Sequence, residues 1–197
     1  MKTEQLNELL YQALETELGG LQVYTKALTC AVNPDLKKEW QEYLDRTKHH
    51  VEIVRGVFEK RGLDPETETP GRKVVRHIGA SLVKAMEMAK SAGKPEAAEL
   101  VAAECVVLAE TKDHLNWELI GQVAKKVKGK DGKALQEAHD EVEPEEGEHV
   151  YHTTGWMREL WIDSLGMPAV LPPPEEEKDV KTATGAARAK QARGSML

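Results

Sequence analysis

Residues 146–149 have the sequence Glu-Gly-Glu-His, which places a carboxylate and an imidazole three positions apart in a long amphipathic segment. Residues at i and i+3 share one face of a helix, so both side chains can point at one ion. His149 falls on the apolar register of the segment, with Glu146 at its edge. The other members of that register are Leu135, Ala138, Val142, Trp156 and Leu160. The pair is therefore predicted to face a bundle interior; the alternative is a solvated acidic turn beside one core histidine.

The composition predicts one all-α domain that does not bind nucleic acid. Charged residues make up 31% of the 197 residues and the formal net charge is −7, which argues against general affinity for nucleic acid or anionic membrane. No segment alternates apolar and polar residues as a strand would, and no apolar run approaches a membrane span. Two distant cysteines indicate neither a zinc motif nor a disulfide framework. With a polar start and no signal peptide, we expect a cytoplasmic protein.

Apolar periodicity and helix-stop residues predict an antiparallel four-helix bundle with an extra crossover helix in residues 1–168. The predicted helices are 3–29, 34–61, 72–92, 95–127 and 133–165. The third is short and moderately amphipathic, so it is interpreted as the long connection between the two halves of such a bundle. Pro144 is expected to kink or divide the last helix. Residues 169–197 lack large apolar side chains and are predicted to form a Pro-rich, charged, flexible tail.

The two halves of the chain repeat one arrangement of acid, aromatic residue and histidine. In the first half, Glu17 is followed by an aromatic residue seven positions later and then by His50. In the second half, Glu110 is followed by an aromatic residue at the same spacing and then by His149. Each connecting loop folds one helix back on the other, so residues equally far from the loop lie at the same level. Counted in this way, both acids lie level with their histidines. This arrangement favours a dinuclear carboxylate site, because divalent iron and manganese prefer oxygen and imidazole ligands.

The candidate metal ligands come from all four long helices. They are Glu17, His50, Glu110, His114, Glu146 and His149. Glu104 is an alternative to Glu110 as the metal ligand from its helix. By the same counting, however, it would lie level with a residue beyond the Glu-x-x-His turn. Tyr24 is predicted to be a nearby proton donor or radical relay. Two alternatives stay open: Glu17 could pair with a buried lysine or tyrosine hydroxyl, and His50 could be a hydrogen-bonded core histidine.

Two segments resemble the stress-induced ferritin-like family typified by YciE and YciF. Residues 33–62, NPDLKKEWQEYLDRTKHHVEIVRGVFEKRG, are similar to the second helix of that family. Residues 110–129, ETKDHLNWELIGQVAKKVKG, resemble its third helix, and a looser similarity extends over residues 5–165. The resemblance implies a ferritin-like bundle with a di-iron centre, in a protein that is usually a dimer.

The chain departs from the pattern of that family in the second helix. The family's acid four residues before the histidine falls at Arg46, and the acid of a ferritin-type Glu-x-x-His pair would fall at Thr47. That half of the site keeps His50, with Asp45 as the nearest acid in sequence. A single metal ion or an asymmetric pair is therefore predicted. Arg46 could instead neutralise a site carboxylate, which would favour a metal-free protein.

These patterns predict a metal-binding protein that handles iron, dioxygen or peroxide in a stress response. The expected cofactor is iron, with manganese or zinc as alternatives and one or two ions, and an oxidase, ferroxidase or peroxidase activity is left open. One alternative function is a metal-free stress or scaffold protein. Another is an encapsulated cargo docked in a protein shell by its tail, because residues 194–197, Gly-Ser-Met-Leu, resemble the docking peptides of encapsulated ferritins. A homodimer is expected.

Overall fold

The computed structural model describes residues 2–167, which form five α-helices and no strand. The helices are α1 (Thr3–Leu28), α2 (Pro34–Arg61), α3 (Pro70–Ser91), α4 (Pro95–Ala124) and α5 (Gly129–Ser164). The predicted all-α class is thus confirmed. Within residues 2–167, no helix combines the length and apolar character needed to cross a membrane. The predicted tail, residues 169–197, lies outside the described residues.

Capping residues set both ends of α2 where the sequence predicts them. The Asn33 side chain accepts hydrogen bonds from the backbone N–H groups of Asp35 and Leu36, at 2.9 and 3.2 Å, and Pro34 occupies the first helical position. At the other end Gly62 adopts the left-handed conformation, with φ of 67°, that commonly ends a helix. Local chemistry therefore fixes the length of α2 and with it the level of His50.

Two helices begin earlier than predicted. Helix α3 begins at Pro70 because the Thr69 hydroxyl accepts the backbone N–H of Arg72 at 3.1 Å and so caps the first turn. Helix α5 begins at Gly129 and passes close to the preceding loop at Gly132, where a Cβ would lie 2.0 Å from the Val127 carbonyl oxygen. The absence of a side chain at that position allows the early start.

Helix α5 also runs continuously through Pro144, so the predicted division of this segment is not observed. A proline in a helix interior removes one backbone hydrogen bond. Packing of α5 against both α2 and α4 supports the helix across this position.

The four long helices enclose one interior, because α1 packs against α2 and α4, and α5 packs against the same two helices. Each of the four contributes to two apolar clusters. The first apolar cluster includes Val23, Tyr24, Ala27, Leu36, Trp40, Tyr43, Ala98, Ala102, Val106 and Trp156. The second apolar cluster includes Leu6, Leu10, Leu14, Val51, Val54, Phe58, Trp117, Ile120, Leu135 and Val142. In every one of these helices, buried polar residues occur between the two sets.

Helix α3 lies against α1 and α4 and is fastened to α1 by a buried ion-pair cluster. The guanidinium of Arg72 donates to Glu15 Oε2 at 2.6 Å, and that of Arg76 donates to Glu15 Oε1 at 2.7 Å. Glu15 and Arg72 are both buried, whereas Arg76 is partly exposed and also pairs with Glu68. Removing Glu15 would therefore leave the charge of Arg72 buried without its carboxylate partner.

We expect Glu15→Ala to lower the free energy of unfolding by about 3 kcal/mol, because a buried charge loses its partner. Urea denaturation followed by circular dichroism measures the change. The matched control is Glu68→Ala, which removes the exposed partner of Arg76 and should leave the transition nearly unchanged. Equal effects of the two substitutions would show that the buried pair does not hold α3 in place.

Candidate metal centre

A layer of buried polar side chains separates the two apolar clusters. This polar layer consists of Thr16, Glu17, Thr47, His50, Glu110, Asp113, Asn116, Glu146, His149 and Thr153, each no more than 6% exposed. Helices α1, α2, α4 and α5 all contribute to it. Burying an ionised carboxylate in such an interior is costly unless the charge is compensated. The layer therefore needs a source of compensating charge.

Five of the six predicted ligands come together in the polar layer. Their ligand atoms form two groups, one of Glu17, His50 and Glu146 and one of Glu110, Glu146 and His149. Within each group all ligand atoms lie within 4.8 Å of one another. Glu146 belongs to both groups, so the Glu-x-x-His turn of α5 stands at the centre of the arrangement.

The two histidines share Glu146, and each also approaches a carboxylate from another helix. His50 Nδ1 lies 2.9 Å from Glu146 Oε1 and 3.7 Å from Glu17 Oε2. His149 Nδ1 lies 3.3 Å from Glu110 Oε2 and 3.4 Å from Glu146 Oε1. The two imidazole rings stack with centroids 5.8 Å apart. Each histidine is thus within 4 Å of at least two carboxylates, and both share Glu146.

Many of these atoms approach one another without hydrogen-bond geometry. The buried atoms that have no hydrogen-bond partner include Oε2 of Glu17, Glu110 and Glu146, Nδ1 of His50, and both ring nitrogens of His149. Buried polar atoms in proteins are nearly always satisfied, so such a concentration requires an explanation. Oxygen and nitrogen donors that converge on a common space rather than on each other fit a bound cation. The donor set is therefore compatible with a metal ion.

The carboxylates hold both histidines in the protonated form. Burial alone would lower the pKa of His50, but Glu146 and Glu17 outweigh it and raise the pKa to about 11. Burial would also lower the pKa of His149, but Glu110 and Glu146 outweigh it and raise the pKa to about 9. At neutral pH, protons on the two imidazoles would therefore compensate part of the carboxylate charge in a metal-free protein.

Burial raises the pKa of the carboxylates in this layer, whereas the neighbouring imidazoles lower it. Burial raises the pKa of Glu17 to about 7, although His50 opposes the shift. Burial also acts on Glu146, but the two imidazoles outweigh it and lower the pKa of that carboxyl to about 2. Glu146 is thus the most firmly ionised acid of the layer, as expected for the group shared by both histidines.

Hydrogen bonds from outside the two groups orient their members. The indole Nε1 of Trp117 donates to Glu17 Oε1 at 2.8 Å, and His50 Nε2 lies 2.9 Å from Glu145 Oε2. Such outer contacts fix the orientation of potential ligands. The Tyr24 side chain is fully buried, and burial together with the adjacent Glu110 carboxylate raises the pKa of its hydroxyl well above the usual range. Tyr24 therefore lies close to the second of the two groups, and its role as a donor or radical relay stays a prediction.

Other candidates lie elsewhere. His114 is partly exposed, with Nε2 3.7 Å from Glu118, and belongs to neither group. Glu104 accepts a hydrogen bond from the Trp161 indole at 2.9 Å and is likewise outside both groups. Asp45 is exposed and pairs with a lysine one turn away. Arg46 pairs with Glu148 at 3.3 Å, so it does not neutralise a carboxylate of either group.

Sequence reasoning missed Asp113, a buried acid in the polar layer. It lies one helical turn after Glu110 and one before Trp117, two residues that contact the groups directly. This i, i+3, i+7 spacing was the available signal. His114, the adjacent position, was selected instead because α4 is apolar on nearly every side and its phase is poorly defined by sequence.

Comparison with known proteins gives no match to a family model, to a curated protein or to a solved structure. The resemblance to the YciE and YciF family therefore stays a prediction. The geometry of the polar layer carries the functional argument.

Metal binding at neutral pH should release protons, because a metal-bound imidazole nitrogen must first lose its proton. With the pKa values of His149 and His50 raised to about 9 and 11, both histidines are protonated at pH 7. We expect release of at least about two protons per chain at pH 7, because Glu17, whose pKa is raised to about 7, also loses protons, and fewer as the pH rises through 9. Calorimetric titration of ferrous iron in buffers of different ionisation enthalpy measures the number. A binding reaction with no proton release at pH 7 would contradict the assignment of these histidines as ligands.

Proposed function

We propose that this chain is a ferritin-like metal-binding protein, an antiparallel four-helix bundle that holds iron between α1, α2, α4 and α5. The observation that supports the proposal most directly is the pair of buried Glu/His groups that share Glu146. Many of their ligand atoms are inaccessible to solvent and have no hydrogen-bond partner. A cation would compensate the carboxylates and satisfy those atoms together.

The donor atoms favour iron or manganese over softer metals. Carboxylate oxygens and imidazole nitrogens suit both divalent ions, whereas thiolate ligands would favour zinc or copper. The two cysteines, Cys30 and Cys105, lie in the first apolar cluster and belong to neither group. Iron is therefore the proposed cofactor, with manganese as the nearest substitute and zinc as a weaker one.

Bound iron would supply one-electron chemistry toward dioxygen or peroxide. The protein surrounds the site with oxidisable side chains: the ring of Tyr43 lies 4.0 Å from that of His149, and Tyr24 is 6.5 Å from the same ring. The surrounding cluster is apolar, which limits the access of water to the metal. These features favour an oxidase, ferroxidase or peroxidase type of role. The resemblance to the YciE and YciF family is the basis for proposing a dimeric stress protein.

A metal-free stress or scaffold protein is the second candidate function. It is favoured by the short distances between each histidine and two carboxylates, since imidazolium ions could compensate the acids. The candidate compensating role of Arg46 does not support it, because this residue pairs with Glu148. The third candidate, an encapsulated cargo, depends on residues 194–197, which lie outside the described residues.

Elemental analysis separates the first candidate from the second. Protein purified without chelator and reconstituted anaerobically with ferrous iron should retain at least about one iron per chain after desalting, because the buried groups exclude competing water. Anomalous scattering at the iron edge should locate the metal beside Glu146. A metal-free polar layer after reconstitution, with unchanged side-chain positions, would establish the metal-free alternative.

Substitutions of residues in the two groups should lower the metal content, whereas a substitution on the exposed face of the same helix should not. Glu146→Ala removes a donor from both groups and should abolish retention, and His50→Ala and His149→Ala should each reduce it about tenfold or more. The control is His49→Ala, because His49 is exposed and faces Glu141 and Glu52 instead. Metal content is measured after desalting, with circular dichroism to verify folding. Equal losses from His49→Ala and His50→Ala would refute the proposed ligand set.

A further inference from the structure

Asp113 is a buried acid that neither Glu/His group contains. The residue is 4% exposed, and its Oδ1 has no hydrogen-bond partner. The ammonium group of the neighbouring Lys112 donates to the Asn116 side chain and acts on Asp113 through its charge alone. A buried carboxylate oxygen without a hydrogen-bond partner is costly, so its retention points to a role that the protein alone does not show.

Its position on α4 places Asp113 between two residues that already contact the groups. Glu110, Asp113 and Trp117 follow the i, i+3, i+7 spacing of one helix face. Glu110 reaches His149, and Trp117 donates to Glu17. Burial and then the carboxylates of Glu17, Glu146 and Glu110 hold the pKa of Asp113 well above its usual range. All four acids therefore belong to the polar layer, and Asp113 lies on the face of α4 that reaches both groups.

Helix α2 supplies no carboxylate to the polar layer. Thr47 occupies the position from which a Glu-x-x-His pair would present its acid, and its hydroxyl donates to the Tyr43 carbonyl at 2.9 Å. The nearest acid along the chain, Asp45, is exposed. Among the buried acids of the polar layer, Asp113 is the one that the two Glu/His groups leave over.

We propose that Asp113 is the fourth carboxylate ligand and completes a site for two divalent ions beside Glu17. The inference rests on the proposed function, and it replaces the expected single ion or asymmetric pair with a full pair. Four carboxylates balance the charge of two divalent ions, whereas Glu17, Glu110 and Glu146 alone leave one positive charge. The acid missing from α2 is thus supplied by α4.

Asp113→Asn tests the proposal, since it keeps the size of the side chain and removes the charge. After anaerobic reconstitution with ferrous iron, the unmodified protein should hold about two ions per chain and the variant about one. Asp113→Glu should keep about two, because the carboxylate is retained. Glu104→Gln and Asp45→Asn are matched controls at acids outside the polar layer and should also keep both ions.

Thermal unfolding provides a readout that a purely structural role would not produce. Without metal, Asp113→Asn should melt at or above the temperature of the unmodified protein, because a buried acid without a partner has been removed. With iron it should show a smaller rise in melting temperature, because one ion fewer stabilises the native state.

The outcomes separate this inference from the proposed function. Two ions retained in Asp113→Asn, or one ion in the unmodified protein, would overturn the role of Asp113 while leaving the metal site intact. No ion in the unmodified protein would overturn the proposed function itself. If Asp113→Asn fails to fold, anomalous scattering from the unmodified protein decides, with Asp113 expected within bonding distance of a metal and refuted as a ligand if it is not.

Discussion

Burying acids away from water dominates the energetics of this protein. Glu17, Glu110, Asp113 and Glu146 all lie in the polar layer, and each is at most 4% exposed. Transferring one ionised carboxylate into such an environment costs several kcal/mol unless the charge is compensated. The opposing shifts in the layer reflect this cost: burial raises the pKa of Glu17 to about 7, whereas two imidazoles lower that of Glu146 to about 2. The layer is stable only with protons or cations in it.

The apolar clusters on either side provide the stability that offsets this cost. Side chains such as Trp40, Phe58, Leu10, Leu135 and Ile120 are almost completely buried, and burial of each contributes about 2 kcal/mol. Because every long helix belongs to both clusters, the clusters also fix the height of each helix relative to its neighbours. The same packing that stabilises the fold therefore holds the acids and histidines at one level.

Sequence patterns predicted those parts of the structure that depend on local chemistry. The ends of α2 followed from Asn33, Pro34 and Gly62, which act through backbone conformation and capping. Clear apolar registers on α2 and α5 predict that His50 and His149 face the interior, and both are fully buried. In these cases one physical cause determined the outcome within a few residues of sequence.

The phase of α4 could not be predicted in the same way. Large apolar residues occur on its exposed side as well as in its interior. Leu108, Leu115 and Leu119 are each about half exposed or more, whereas Trp117 and Ile120 are buried. The apolar pattern therefore does not distinguish the face that carries Asp113 from the neighbouring face that carries His114. That distinction depends on contacts with α1 and α5, which are distant in sequence.

Close packing between α1 and α2 favours a fourth acid on α4 over one on α2. A Cβ at Gly20 would lie 3.3 Å from the Thr47 methyl group, so the two helices approach tightly at the level of the polar layer. A glutamate in place of Thr47 would need room that this approach does not leave, and separating the helices would cost apolar contact in both clusters. Helix α4 instead presents the face that carries Glu110 and Trp117 to the layer. A carboxylate at Asp113 fits on that face without disturbing the packing of α1 on α2.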